Sequence, residues 1–258
     1  MDDRIRTVLA ELERLALQRD NLETAWQAAT TAIDVLLWCD EFLRAAALAE
    51  RTIHDLGQEK TDLHYQRLPF NVALIAAEAY VDEPAVPRLR SAAAALPQDT
   101  VLAQQLSWEA ERLQGESALE TLLGQPWHDP QKPLGRRDRE LIEKNWMALS
   151  GRELNRLWGA AQRANDFDLA KRIAHSTGTK PSRWLPAVWF AQWLVHSDQT
   201  EHASEVLLAA KDTYIPRAPW SPLPTNLPVD PNLRKALTTQ VRQSFLAGVT
   251  NPFAEGHG

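Results

Sequence analysis

Residues Asp40–Thr52 read DEFLRAAALAERT, and residues Asn165–Thr177 read NDFDLAKRIAHST. At matching offsets the two stretches share an acid or amide, an acid, Phe, then Ala, Leu or Ile, Ala and Thr. The opening acid or amide tolerates a turn, because its short side chain can bond the nearby backbone. Small and branched apolar residues then recur three and four apart, which is one face of a helix. The same turn-then-helix written twice predicts an α-helical repeat.

Tandem spacing extends the pattern. Placing Ala170 on Ala203, an offset of about 33 residues, pairs Leu157 with Phe190, Ala161 with Leu194 and Ala174 with Leu207. The same shift pairs Asn165 with Asp198 at the turn and Thr177 with Ala210. Small residues let two helices of a hairpin approach closely, and large ones fill the space between hairpins. One hairpin cannot bury its own apolar face, so hairpins of this kind stack.

Helical periodicity covers most of the remaining chain. Ile5, Val8, Leu9, Leu12 and Leu15 form a stripe near the N-terminus, and further helices are expected around 21–38 and 41–55, the second ended by Gly57. A pair over 70–96 splits near Asp82–Pro84 and stops at Pro97. Another pair covers 99–123, broken at Gly115. Helices resume over 138–149, 152–164, 166–176, 184–197 and 201–211. Residues 124–137 hold clustered Pro and Gly and read as a linker or long loop. Residues 214–231, including PRAPWSPLPTNLPVDP, are expected to be extended and partly polyproline-like, since proline fixes φ and supplies no backbone donor. Such a segment can be a plain connection, an occupant of the protein's own groove, or a ligand for another module. One last helix is expected after Asp230 and Pro231, with Leu233, Leu237, Val241 and Phe245 on one face and Gly248 closing it. The divisions that follow are 1–123, a helical array; 124–137, the linker; 138–213, hairpins; and 214–258, the Pro-rich segment with a capping helix and tail.

The 258 residues are 44% apolar and 24% charged, as in an ordinary soluble globular protein. The formal net charge of −6, with a basic cluster only at Arg136, Arg137 and Arg139, argues against nucleic acid as a main partner. Cys39 is the single cysteine, so neither an internal disulfide nor a cysteine metal site is expected. The charged N-terminus has no signal-peptide core, and no run of about 18 apolar residues occurs. The expectation is a cytoplasmic protein with no membrane partner.

The period and residue pattern resemble the tetratricopeptide (TPR) repeat family, most clearly over residues 154–216 and 40–52. Phe190–Ala191, Leu194, Ala203, Leu207 and Ala210 match its hairpin, as do Leu157, Ala161, Asp166–Phe167, Ala170 and Ala174. Trp158 departs from it, standing where a small residue belongs, and Ala32–Ile33 stands where large-then-small is expected. The resemblance implies an all-α solenoid of helical hairpins with capping helices. It also implies a groove lined by the first helix of each hairpin: Arg152, Asn155, Gly159, Gln162 and Arg163 in one, and Leu185, Val188, Gln192, Val195 and His196 in the next. The Lys-Asn set with which some family members clamp a terminal carboxylate is absent from these positions.

No catalytic signature stands out. No His follows Glu by three, His-Glu-x-x-His is missing, and His196 and His202 are spaced for different helix faces. Gly178-Thr179-Lys180 lacks the other P-loop positions, with Ala174 and Pro181 where Gly and Ser or Thr belong. Cys39, between Trp38 and Asp40, reads as packing. Of ten tryptophans, Trp184, Trp189 and Trp193 cluster, which suits packing between hairpins or an aromatic lining for a partner. The expected function is binding without metal or cofactor: an adaptor or regulatory subunit holding a peptide segment or protein. A sensing module beside a separately encoded catalytic or DNA-binding partner is the second reading, and a helical enzyme with an internal cavity the third.

Overall fold

The computed structural model describes residues 2–56, 67–81, 84–98, 100–114, 134–144, 149–150, 153, 156–157, 159–161, 164, 166, 168–169, 184–196, 198–216 and 218–253. Among them the regular structure is helical, apart from one isolated bridge between Ala218 and Ser221. The helices are α1 (Asp3–Leu15), α2 (Leu22–Trp38), α3 (Phe42–Leu56), α4 (Arg67–Val81), α5 (Ala85–Ala94), α6 (Val101–Arg112), α7 (Arg136–Ile142), α8 (Trp184–His196), α9 (Thr200–Ala210), α10 (Leu233–Ala236) and α11 (Thr239–Leu246). The all-α class therefore holds. The chain divides into two compact units: residues 1–123, 216–231 and 242–258 form the first, and residues 124–215 and 232–241 the second.

In the first unit each helix from α1 to α6 packs on the next, and α2 also meets α4, as α3 meets α5. Side-chain oxygens fix the starts. Ile5 N–H donates to Asp2 at 2.8 Å, Thr24 N–H to Asn21 at 3.1 Å and Ala103 N–H to Thr100 at 3.3 Å, each satisfying a donor that the helix leaves open. The α1 stripe points inward as its spacing predicts, with Ile5, Leu9, Leu12 and Leu15 buried. Helix α2 is buried nearly all round, from Ala25 to Trp38 apart from Gln27. A helix with no polar face belongs in the middle of a core, and α2 sits there, with Trp26 against Phe70 (4.9 Å) and Trp38 against Phe245 (4.8 Å).

The turn at Asp40 recurs at Asp198. Asp40 follows α2 with φ 61°, and Asp198 follows α8 with φ 57°. At both, the helix closes with paired backbone bonds. Asp40 N–H donates to Leu37 (3.2 Å) and Glu41 N–H to Leu36 (2.9 Å), while Asp198 N–H donates to Val195 (3.1 Å) and Gln199 N–H to Leu194 (2.8 Å). This is the Schellman closure, which needs a left-handed residue after the helix. Asp can supply one when Gly is absent, because its short side chain hydrogen-bonds locally. A third bond of the same span joins Asp166 N–H to Ala161 at 2.7 Å. The next helix then presents a buried Ala at the same place, Ala45 in one hairpin and Ala203 in the other. Ala170 and most of 166–176 lie outside the described residues, as do Gly57, Gly115 and residues 115–133.

In the second unit α8 and α9 form a hairpin with α10 against both. Phe190 stacks on Trp193 at 5.5 Å and 3°, and meets His202 edge-on at 6.0 Å. Leu157 and Ala161, the sequence partners of Phe190 and Leu194, are buried as those two are. Ser150 and Glu153 form a reciprocal capping box, with Ser150 N–H donating to the carboxylate (2.9 Å) and Glu153 N–H to the Ser150 oxygen (3.3 Å). In the basic cluster Arg136 pairs with Glu140 (3.0 Å), and the buried Asp138 beside it accepts from Arg156 (2.7 Å).

Two expectations need correction. Tyr214 keeps the extended backbone expected of this stretch (φ −70°, ψ 126°), but residues 218–221 and 225–229 form turns instead of extended chain. Ser221, Leu227 and Asp230 donate their N–H groups to Ala218, Pro224 and Asn226, so these three donors are spent locally. The single last helix is in fact two, α10 and α11, parted at Leu237, whose ψ of 67° is not helical. Leu237 is buried, and so, each in its own unit, are Leu233, Val241 and Phe245, so the apolar spacing reports burial correctly and helix continuity wrongly.

Candidate functional site: a turn-rich strap on α2 and α4

Polar groups inside a buried helix need partners, because an unpaired one costs as much as a lost hydrogen bond or more. On α2 the buried polar residues are Thr30, Thr31 and Asp34. Thr30 turns back to the Trp26 carbonyl (2.9 Å). The others meet the Pro-rich segment. Thr31 donates to the Trp220 carbonyl (2.6 Å), and Asp34 accepts from Ser221 Oγ (3.0 Å) and Thr225 Oγ1 (2.8 Å). One turn further along α2, Trp38 Nε1 donates to the Pro224 carbonyl (3.3 Å). Positions 31, 34 and 38 share one helix face. From α4, the Tyr80 hydroxyl reaches the Val229 carbonyl (2.6 Å).

The order of these contacts shows the path. Segment numbers rise from 220 to 224 as α2 numbers rise from 31 to 38, so the strap (residues 216–231) runs with α2 and then crosses to α4. Its chemistry follows from its prolines. They remove N–H groups and leave carbonyls, so the receiving helices supply hydroxyl and indole donors, and one carboxylate takes the strap's two hydroxyls. Leu223, Leu227 and Val229 are buried, each worth about 1.5–3 kcal/mol against exposure. Phe42 stacks on Tyr80 at 4.8 Å and steadies that ring. Of the three readings of the segment, occupation of the protein's own helical face is the one found.

Two arginines brace the same region. Arg242 donates to the Trp38 carbonyl at the end of α2 and to Asp40 (3.2 Å). Arg4 donates to the carbonyls of Leu246 and Val249 beyond α11, the latter at 2.7 Å. Cations at helix C-termini meet unpaired carbonyls and the negative end of the helix dipole. Cys39 closes α2 between Trp38 and Asp40, and burial pushes its thiol pKa up to about 11. The protonated form dominates at neutral pH, which makes it a weak nucleophile.

The residues expected to line a groove fall as follows. Arg152, Asn155, Gln162 and Arg163 lie outside the described residues, as does the Leu185 side chain. Val188 and Gln192 are half-buried on α8, Val195 is buried, and His196 is exposed with a ring nitrogen 3.2 Å from Asn232 Nδ2. Gly159 is buried. Aligning the two described hairpins by their closing carbonyls, Leu194 on Leu36, lays Gln192 on Asp34 and His196 on Trp38. Those two positions correspond by register, several helices earlier in the chain, to side chains that hold the strap. Asp34, Thr31, Trp38 and Tyr80 were missed. An acid in an otherwise apolar helix was the available signal.

Among the other tryptophans, Trp184 meets Tyr214 at 5.2 Å, Trp189 is half-buried, and Trp108 is 53% exposed with Arg112 5.1 Å over its ring. Among the described residues no cluster of three His, Cys, Asp or Glu is placed to hold a metal, and no helix is long and apolar enough to cross a membrane. Models of protein families, curated proteins and solved structures were each compared with this chain, and none matched.

Proposed function

We propose that the chain is a helical adaptor or regulatory subunit, built of tetratricopeptide-like hairpins and working in the cytoplasm, that holds a peptide segment or partner protein on its hairpin faces. One observation carries this reading. The face made by α2 and α4 receives a non-helical segment through side chains, matching hydroxyl and indole donors to backbone carbonyls. That is how a helical surface recognises a peptide whose own N–H groups are missing or engaged. Equivalent positions on the later hairpins, including Arg152, Asn155, Gln162, Arg163, Val188, Gln192 and His196, are the proposed partner contacts. The test is affinity capture of the full chain from its native host, beside a variant carrying Arg152→Glu and Arg163→Glu. A specific partner lost from the variant while its thermal melting is unchanged supports the reading. Equal recovery of that partner with both proteins overturns it.

A further inference from the structure

The strap is bound as a ligand is bound. Its N–H groups at Ser221, Leu227 and Asp230 are spent on carbonyls within the strap. Its hold on the helices comes through Thr31, Asp34, Trp38 and Tyr80. Both ends are exposed: Ile215 stands 84% exposed before Pro216, and Pro231 is exposed at the far end. Releasing it leaves the backbone bonds of α2 and α4 unbroken. The burial of Leu223, Leu227 and Val229 favours docking, and the conformational entropy lost on ordering the segment opposes it.

We infer that the α2–α4 face is a receptor for a Pro-rich segment with two hydroxyls four residues apart, and that residues 216–231 are its resident occupant, exchanged for a partner segment of the same chemistry. This rests on the adaptor reading and names its ligand class. Asp34 reads the hydroxyl pair, and Thr31, Trp38 and Tyr80 read the carbonyls before, between and after it. A segment with Ala and Val at the two hydroxyl positions would lose both bonds to Asp34 and bind more weakly.

Hydrogen exchange on the full chain tests release. The amides of Ser221, Leu227 and Asp230 should exchange at least about 100-fold faster than those in the middle of α2, since a latch opens locally while its receptor stays folded. One shared rate for strap and helix would overturn the inference. Exchange by a partner segment is tested with a synthetic peptide of residues 218–230. Added to the full chain, it should speed strap exchange and leave α2 unchanged. A peptide with Ser221→Ala and Thr225→Val should need about 10-fold more for the same effect. No effect at millimolar peptide, equal potency of the two peptides, or exchange seen only with formation of a dimer of this chain would each sink the proposal. The Arg152 and Arg163 capture experiment is independent of the strap, so a locked strap with a captured partner removes this inference alone.

Discussion

Replacing Thr225 with Val removes one hydroxyl from a fully enclosed carboxylate. Asp34 is 0% exposed, and Thr225 donates to it at 2.8 Å. Water cannot reach in to replace that donor. Leaving a buried acceptor atom without its donor costs about 1–3 kcal/mol. The added methyl returns up to about 0.8 kcal/mol by burial. The net loss for Thr225→Val should be about 1–2 kcal/mol. In an Asp34→Ala background the hydroxyl has lost its acceptor, so the same change should be neutral or slightly stabilising. The coupling between the two sites should then be at least about 1 kcal/mol. Denaturant unfolding followed by tryptophan fluorescence suits the measurement, since Trp26 and Trp38 are both buried in this unit. A Thr225→Val cost that is the same in both backgrounds would refute the claim that the hydroxyl acts through Asp34.

Other outcomes follow from single contacts. Asp198→Ala should destabilise by about 1 kcal/mol, because Ala pays fully for positive φ, whereas Asp198→Gly should be neutral or stabilising; thermal melts of the two variants give the comparison. Arg242→Ala should cost about 1–3 kcal/mol by denaturant unfolding, as it releases the Trp38 carbonyl and Asp40 together. With its thiol raised from 9.0 to about 11, Cys39 should react with iodoacetamide near neutral pH roughly 100-fold more slowly than an unperturbed cysteine. Because the folded value is the higher one, stability from the protonated thiol is complete below pH 9 and lost as pH rises towards about 11; Cys39→Ala should blunt that alkaline loss. Glu153 is held below the usual carboxylate range first by the Ser150 backbone N–H and then by its hydroxyl, so its contribution is present above that range and fades as pH falls through the folded value; Ser150→Ala should raise the Glu153 titration in an NMR experiment.

The helices were legible because their causes are local. The α1 stripe, the caps at Asp2, Asn21 and Thr100, and the turns at Asp40 and Asp198 each depend on residues within one or two turns of chain. The break at Leu237 was not legible. An apolar residue at helical spacing is buried whether the backbone stays helical or kinks, and periodicity reports only burial. The candidate site was not legible. The residues that hold the segment, Asp34 and Trp38, belong to a hairpin whose pattern fits the repeat less well, and none of the expected groove positions is among them. Nothing local in Trp38 separates an indole that donates to Pro224 from one that only packs.

The sequence by itself determined an all-α chain, where most of its helices begin and end, and the recurrence of one turn, since caps, left-handed residues and apolar spacing act over a few residues. Only the tertiary structure decided where the proline-rich segment goes. Its carbonyls and hydroxyls are satisfied by Thr31, Asp34, Trp38 and Tyr80, some 150 to 190 residues away along the chain. Such pairing is fixed by the need to leave no buried polar group alone, and that need has meaning only after the core has closed.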